Sequence, residues 1–193
     1  MKRISVFCAS SDGNNSIYAE AAAELGAFLA KRGVGVVFGG SKLGLMGAVA
    51  DGALKNGGEV IGVLPTFMRR KEVEHSGLTE LIYVESMHER KLKMHELSDG
   101  VIALPGGFGT FEELFEMLTW SQLGLHNKPI GILNTAEYYR QLLDMFDHMA
   151  QEGLLKSVYR DMILSAERPE ALFSKMKEYT PPKSALQMLK EQT

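Results

Sequence analysis

The residues that could do chemistry in this chain are first of all glycines. Gly39, Gly40, Gly44 and Gly47 form one group, and Gly106, Gly107 and Gly109 form another. A glycine loop that opens a helix offers bare backbone N–H groups at the positive end of a dipole, which suits an anion. The spacing narrows which anion. A triphosphate cradle reads G-x-x-x-x-G-K-[ST]; Gly39 and Gly44 have that spacing, but Leu45 stands where the Lys belongs. The dinucleotide pattern G-x-G-x-x-G also fails, because Lys42 precedes Gly44 and Glu112 takes the last position after Gly107-Phe108-Gly109. Two short loops suited to one phosphate and a sugar remain. For either group alone, tight strand-to-helix turns explain the glycines equally well; two groups at strand ends favour binding.

The titratable candidates have structural readings of their own. Thr110-x-x-Glu113 is spaced as a capping box, in which Thr and Glu satisfy each other's orphan amides at a helix start. Arg90 sits in His88-Glu89-Arg90-Lys91-Leu92-Lys93, a charge run of the kind that forms a solvated helix face. The five histidines show no ligand spacing and H-E-x-x-H is missing, so no metal is expected. No G-x-S-x-G or Cys–His signature points to acyl chemistry.

Elements that could hold these residues alternate along the chain. Strands are expected at Ile4–Cys8, Val34–Phe38, Val60–Leu64, Leu81–Glu85, Val101–Leu104, Ile130–Leu133 and Met162–Ser165. Between them helices are expected over Ser16–Lys31, from the first glycine group to about Lys55, and over Met87–Leu97, Phe111–Leu123, Glu137–Glu152 and Pro169–Lys177. Thr66–Gly77 reads as a long charged loop, and Pro181-Pro182 starts a C-terminal tail over 181–193. Strands alternating with helices imply βαβ units. The expected fold is a single-domain α/β, Rossmann-like, doubly wound parallel sheet over 1–180, with helices on both faces. Near-continuous apolar strands fit burial on both faces. In such sheets ligands sit at the carboxyl ends of the strands, where both glycine groups fall.

Composition excludes several classes. The 193 residues carry 21 Lys+Arg against 24 Asp+Glu, a net charge of −3, so nothing pulls the whole chain toward nucleic acid or an anionic membrane. A length of this order suits one domain, and 45% hydrophobic content with 23% charged argues against disorder. Twenty glycines exceed the usual share of about 7%. No apolar run approaches the roughly 20 residues that cross a bilayer. The apolar stretch after Met1-Lys2-Arg3 is too short for a signal-peptide core. One cysteine, Cys8 in an apolar stretch, makes no internal disulfide. A cytoplasmic protein is expected.

Pro105-Gly106-Gly107-Phe108-Gly109-Thr110-Phe111-Glu112-Glu113 resembles the P-G-G-x-G-T-x-x-E motif of the LONELY GUY family, cytokinin-activating nucleoside 5′-monophosphate phosphoribohydrolases long mislabelled as lysine decarboxylases. Met87-His88-Glu89-Arg90-Lys91 is similar to the family's M-x-x-R-K, and Thr119–Gly124 with His126–Pro129 to the segment that follows. Gly44-Leu45-Met46-Gly47 and Phe7–Ser11 resemble its N-terminal signatures, with Ser41 and Ala9 where glycine is usual. The resemblance spans residues 1 to about 165. It implies hydrolysis of the N-glycosidic bond of an adenosine 5′-monophosphate, N6-substituted or plain, with the base left open, releasing free base and ribose 5-phosphate. It also implies a homodimer, a nucleoside 5′-monophosphate as the bound partner, and no cofactor. By resemblance Arg90 and Glu113 are the catalytic pair. Gly107, Phe108, Gly109, Thr110, Phe111 and Glu112 bind substrate with them, together with Glu72, Lys91 and Thr119. A decarboxylase would need pyridoxal phosphate on a lysine, and no lysine in the sequence is singled out. The rival class is a non-catalytic carrier of nucleotide or molybdenum cofactor, which would use glycine loops of the same kind without needing Arg90 and Glu113.

Overall fold

The computed structural model describes residues 1–70 and 73–190. Seven strands form one sheet: β1 (Arg3–Phe7), β2 (Gly35–Phe38), β3 (Val60–Pro65), β4 (Glu80–Val84), β5 (Gly100–Ala103), β6 (Ile130–Leu133) and β7 (Ile163–Ala166). Their order is β4-β3-β2-β1-β5-β6-β7, and every pairing is parallel. Parallel neighbours need a crossover, and helices supply it: α1 (Ile17–Ala30), α2 (Gly44–Leu54), α3 (Met87–Leu97), α4 (Phe108–Leu123), α5 (Arg140–Gln151), the single-turn α6 (Ser157–Arg160), α7 (Pro169–Glu178) and α8 (Ala185–Lys190).

Side-chain alternation along the strands sorts the core into two layers. Ile4, Val6, Val36, Phe38, Ile102 and Leu104 face α1, α2 and α7. Phe7, Val37, Ile61, Val63, Val101 and Ile132 face α3, α4 and α5. β1, β2, β3, β5 and β6 are buried almost throughout, whereas the edge strand β4 is part-exposed at every residue. This is the expected doubly wound sheet. None of the described helices is long and apolar enough to cross a membrane.

Most boundaries shift by a residue and the short α6 is not among the expected elements; three further departures have a physical cause in the structure. α4 opens at Phe108 rather than Phe111, with Gly107 as its cap. First-turn residues donate no helical bond, so the low helix propensity of glycine does not delay the helix there. α5 opens at Arg140 rather than Glu137, because Ala136 and Glu137 both take positive φ (50° and 55°) in a tight turn. Asn134 Oδ1 closes that turn by accepting from the Tyr139 amide at 2.7 Å. Beyond Pro181-Pro182, Ser184 and Gln187 form a reciprocal capping box (2.9 and 3.2 Å) that starts α8. The Tyr159 hydroxyl reaches Met188 sulfur at 3.5 Å, joining α8 to the body.

Candidate active site

Strand order reverses between β1 and β5, so the chain segments leaving those two strands diverge toward opposite faces and open a crevice. A cleft of about 490 Å³ lies there. Its floor is Cys8, Ala9 and Ser10 after β1 and Gly39 after β2. One wall is Met87 and Arg90 of α3, and another is Gly107–Thr110 with Glu112 and Glu113 at the start of α4. Met68 and Val73, from the segment after β3, close a third side with Leu43 and Met46.

The described residues of that third wall, which falls in the long charged loop expected over Thr66–Gly77, are pinned at several points. The wall begins with a 3-10 turn at Thr66–Met68. It then folds back so that the Lys42 amide donates to the Val73 carbonyl (2.8 Å) and the His75 amide to the Gly40 carbonyl (3.0 Å). His75 Nε2 also meets Asp51 Oδ1 of α2 at 3.1 Å.

Arg90 is carried by α3, whose first turn is fixed by the Ser86 hydroxyl accepting from the Glu89 amide at 3.1 Å. The helix face that reads as solvated in sequence lies against the sheet at this residue. Arg90 Nε donates to the Val63 carbonyl in the second half of β3 (3.2 Å), and Nη1 stands 3.2 Å from Glu113 Oε1. Both side chains are shielded, at 11% and 8% exposure. Burial pushes the Glu113 carboxyl up to about 6, against the pull of the Arg90 charge and with a further push from Glu112. Burial also drives the neighbouring Cys8 thiol far up, helped by Glu113. The cleft therefore holds a carboxyl whose proton affinity burial raises, with a fixed cation beside it.

The capping-box reading of Thr110 and Glu113 is corrected by these positions. Thr110 lies in the first turn and Glu113 in the second, with its carboxylate turned to Arg90. The Thr110 side chain is buried against Gly106, where a Cβ would stand 2.0 Å from its Oγ1. The α4 ladder begins with the Phe111 amide donating to the Gly107 carbonyl (3.1 Å), so the amides of Phe108, Gly109 and Thr110 precede it and mark the helix end at the cleft. Tyr138 and Tyr139 brace the loop from behind, their hydroxyls donating to the Gly106 and Leu104 carbonyls at 2.7 and 2.6 Å.

Other candidates stand apart. Lys91, beside Arg90 in sequence, is not itself part of the cleft lining. Its ammonium is buried between Glu112 and Glu116 (3.0 Å to the latter). Phe111 is half-buried with its ring 5.6 Å from that of Tyr139. Thr119 donates to the Phe115 carbonyl at 2.8 Å. It lines a second hollow of about 180 Å³ with Phe115, Leu118, Phe146 and Met149. Glu72 lies outside the described residues. Among the described residues no group of three or more His, Cys, Asp or Glu is placed to hold a metal ion. Sequence reasoning singled out Gly39 only as part of a glycine group and did not single out Cys8, Ser10, Met46, Met68 or Val73 as site residues. The signal for Cys8, Ser10 and Gly39 was their place just past β1 and β2; for Met68 and Val73 there was none.

The family model described as "Possible lysine decarboxylase" matches residues 46–176. The chain is 47% identical to the probable cytokinin riboside 5′-monophosphate phosphoribohydrolase LOGL1 of Oryza sativa subsp. japonica, over 92% of this chain and 80% of that protein. It is 44% identical to the cytokinin riboside 5′-monophosphate phosphoribohydrolase LOG1 of Arabidopsis thaliana, over 93% and 84%. Among solved structures, the molybdenum cofactor binding protein of Rippkaea orientalis superposes with a TM-score of 0.68 at 24% identity, covering 91% of this chain and 95% of that one. The molybdenum cofactor carrier protein of Chlamydomonas reinhardtii gives 0.67 at 21%, covering 91% and 96%. These two share the fold. The chain belongs to the LONELY GUY family, to which the two curated plant proteins give their function's name.

Proposed function

We propose, from membership of that family as the premise, that this chain hydrolyses the N-glycosidic bond of an N6-substituted adenosine 5′-monophosphate. The products are the free cytokinin base and ribose 5-phosphate. The observation that carries the reading is the buried Glu113–Arg90 pair, 3.2 Å apart, beside the opening turn of α4. The 5′-phosphate binds the amides of Gly107, Phe108, Gly109 and Thr110, where the helix dipole adds to their donors. Glu112 stands at the rim. C1′ then faces Glu113. As the C1′–N bond breaks, its electron pair leaves with the base, positive charge develops at C1′, and the carboxylate stabilises it. Glu113 also orients the water that adds to C1′ and takes its proton, which ends on the departing base and restores the carboxylate. Arg90, with two donor groups committed to Val63 and Glu113, works beside the reacting centre rather than as a phosphate clamp. Lys91 supports the site by holding Glu112 and Glu116.

A carrier would need the amide end of α4 but has no use for a buried carboxylate paired with an arginine beside it. A pyridoxal phosphate enzyme needs a lysine amine in its cleft, and among the described residues the lining contains none. The working form is a homodimer in the cytoplasm. Its dimer face is supported by the hollow around Phe115 and by exposed Phe115, Leu123 and Leu125 on and just after α4. The test is to incubate the purified chain with AMP, N6-isopentenyl-AMP and adenosine and to measure free base. Release from the monophosphates, at least 100-fold faster in kcat/KM than from the nucleoside, is expected. No release from any monophosphate overturns the reading.

A further inference from the structure

Gly39 stands one residue beyond β2 and lines the cleft. In sequence it belongs to the first glycine group, read as a turn or an anion loop. The structure gives it a different task. A Cβ built on Gly39 would stand 2.0 Å from Arg90 Nη2, 3.1 Å from Arg90 Cζ and 2.9 Å from Met46 Sδ. Its φ lies outside the left-handed region, so alanine is conformationally admissible there. All three nearest atoms belong to the far ends of flexible side chains. A methyl group at this position therefore displaces the guanidinium and leaves the backbone where it is. Gly44, in the same group, is the opposite case: its Cβ would meet the backbone of Ser10 and Ser11 at 2.3–2.6 Å.

The guanidinium is thus located from three elements. The Val63 carbonyl of β3 takes Nε, the Glu113 carboxylate of α4 takes Nη1, and the bare Cα of Gly39 leaves space for Nη2. We infer that Gly39 is a positioning residue for the reaction, the missing side chain being the seat that keeps Arg90 against Glu113. The catalytic consequence rests on the function proposed above, whereas the seat itself does not.

The experiment uses Gly39→Ala, Arg90→Ala and the double variant, with the Glu113 carboxyl followed by carbon-13 NMR titration and with steady-state kinetics. Moving the cation off Glu113 removes the charge that holds its proton affinity down, so Gly39→Ala raises the midpoint above that of the wild type. Arg90→Ala raises it too, and the double variant matches Arg90→Ala alone. The kcat of Gly39→Ala falls about 100-fold, as expected of a displaced catalytic group, while KM for the monophosphate stays within about threefold because the α4 amides are untouched. An unchanged Glu113 midpoint in Gly39→Ala overturns the inference, and so does a shift that adds to that of Arg90→Ala. Should Gly39→Ala fail to fold, adding Arg90→Ala restores folding by vacating the seat; a double variant that also fails to fold overturns it. An inactive wild-type chain would sink the proposed function and leave the titration to decide the seat.

Discussion

The two glycine loops look alike in sequence and do different work. The loop before α2 is closed by its own protein: the Met46 amide donates to the Ala9 carbonyl (3.3 Å), the Leu43 amide to the Ser41 hydroxyl (3.1 Å), and Gly44 sits against the Ser10–Ser11 backbone. The loop before α4 is open. A Cβ on Gly107 or Gly109 would meet nothing within 4 Å, and Phe108 between them is 98% exposed. Glycine in the first loop makes room for protein, as Gly106 does for Thr110 in the second, whereas Gly107 and Gly109 leave room for something else. Clustered glycine therefore marks close approach, and only the packed structure tells what approaches.

Glu113→Gln tests the open loop most severely. It keeps the size of the side chain and removes the charge, so a loss of about 10³-fold in kcat is expected with an unchanged melting temperature. Wild-type turnover would strip the α4 end of its chemical role. The pH dependence comes next. Because burial raises the Glu113 carboxyl to about 6 and the reaction needs its ionised form, kcat/KM should fall about tenfold per unit below pH 6. It should level off above pH 7. A flat profile down to pH 5 would remove Glu113 as the base.

A glycine pair sharpens the contrast directly. Gly44→Ala carries both a positive φ of 57° and backbone clashes, and should cost on the order of 2–4 kcal/mol of stability. Gly109→Ala should stay within about 1 kcal/mol and could only gain helix propensity, while KM for the monophosphate rises severalfold as the methyl enters the phosphate site. Equal stability losses would erase the distinction between the loops. The smallest effect is expected at Lys93, which pairs with Glu96 on the solvent side of α3. Lys93→Ala should leave kcat/KM within twofold, against a loss of at least 100-fold for Arg90→Ala three residues earlier.

Much of the sheet is legible in the sequence, because a strand buried on both faces must be a continuous apolar run. β6 at Ile130–Leu133 and α3 at Met87–Leu97 coincide with the residues expected. What escaped reading has no local apolar signature. The start of α4 hides in glycines, the turn before α5 puts Ala136 and Glu137 in a conformation that neither residue type advertises, and the Ser184–Gln187 box follows two prolines that suggest a loose end. The site divides in the same way. The cluster of Gly106, Gly107 and Gly109 at a strand end could be read as a binding loop, whereas Phe108, Thr110, Arg90 and Glu113 entered by family resemblance. By residue type alone Arg90 and Glu113 look like a solvated charge and a helix cap until the fold sets them face to face. Their meaning lies in a pairing between α3 and α4, which the residue types do not encode locally.

Arg90 is also a point where distant parts of the chain must agree. Its guanidinium touches β3 and the end of β2 in one half of the sheet and α4, which follows β5, in the other. Partners so far apart along the chain come together only when both half-sheets have docked. Enzymatic turnover in this protein is thus a readout of complete assembly. During refolding it should return with the last cooperative unit rather than with the first helices, and under mild denaturant it should vanish before the circular dichroism changes.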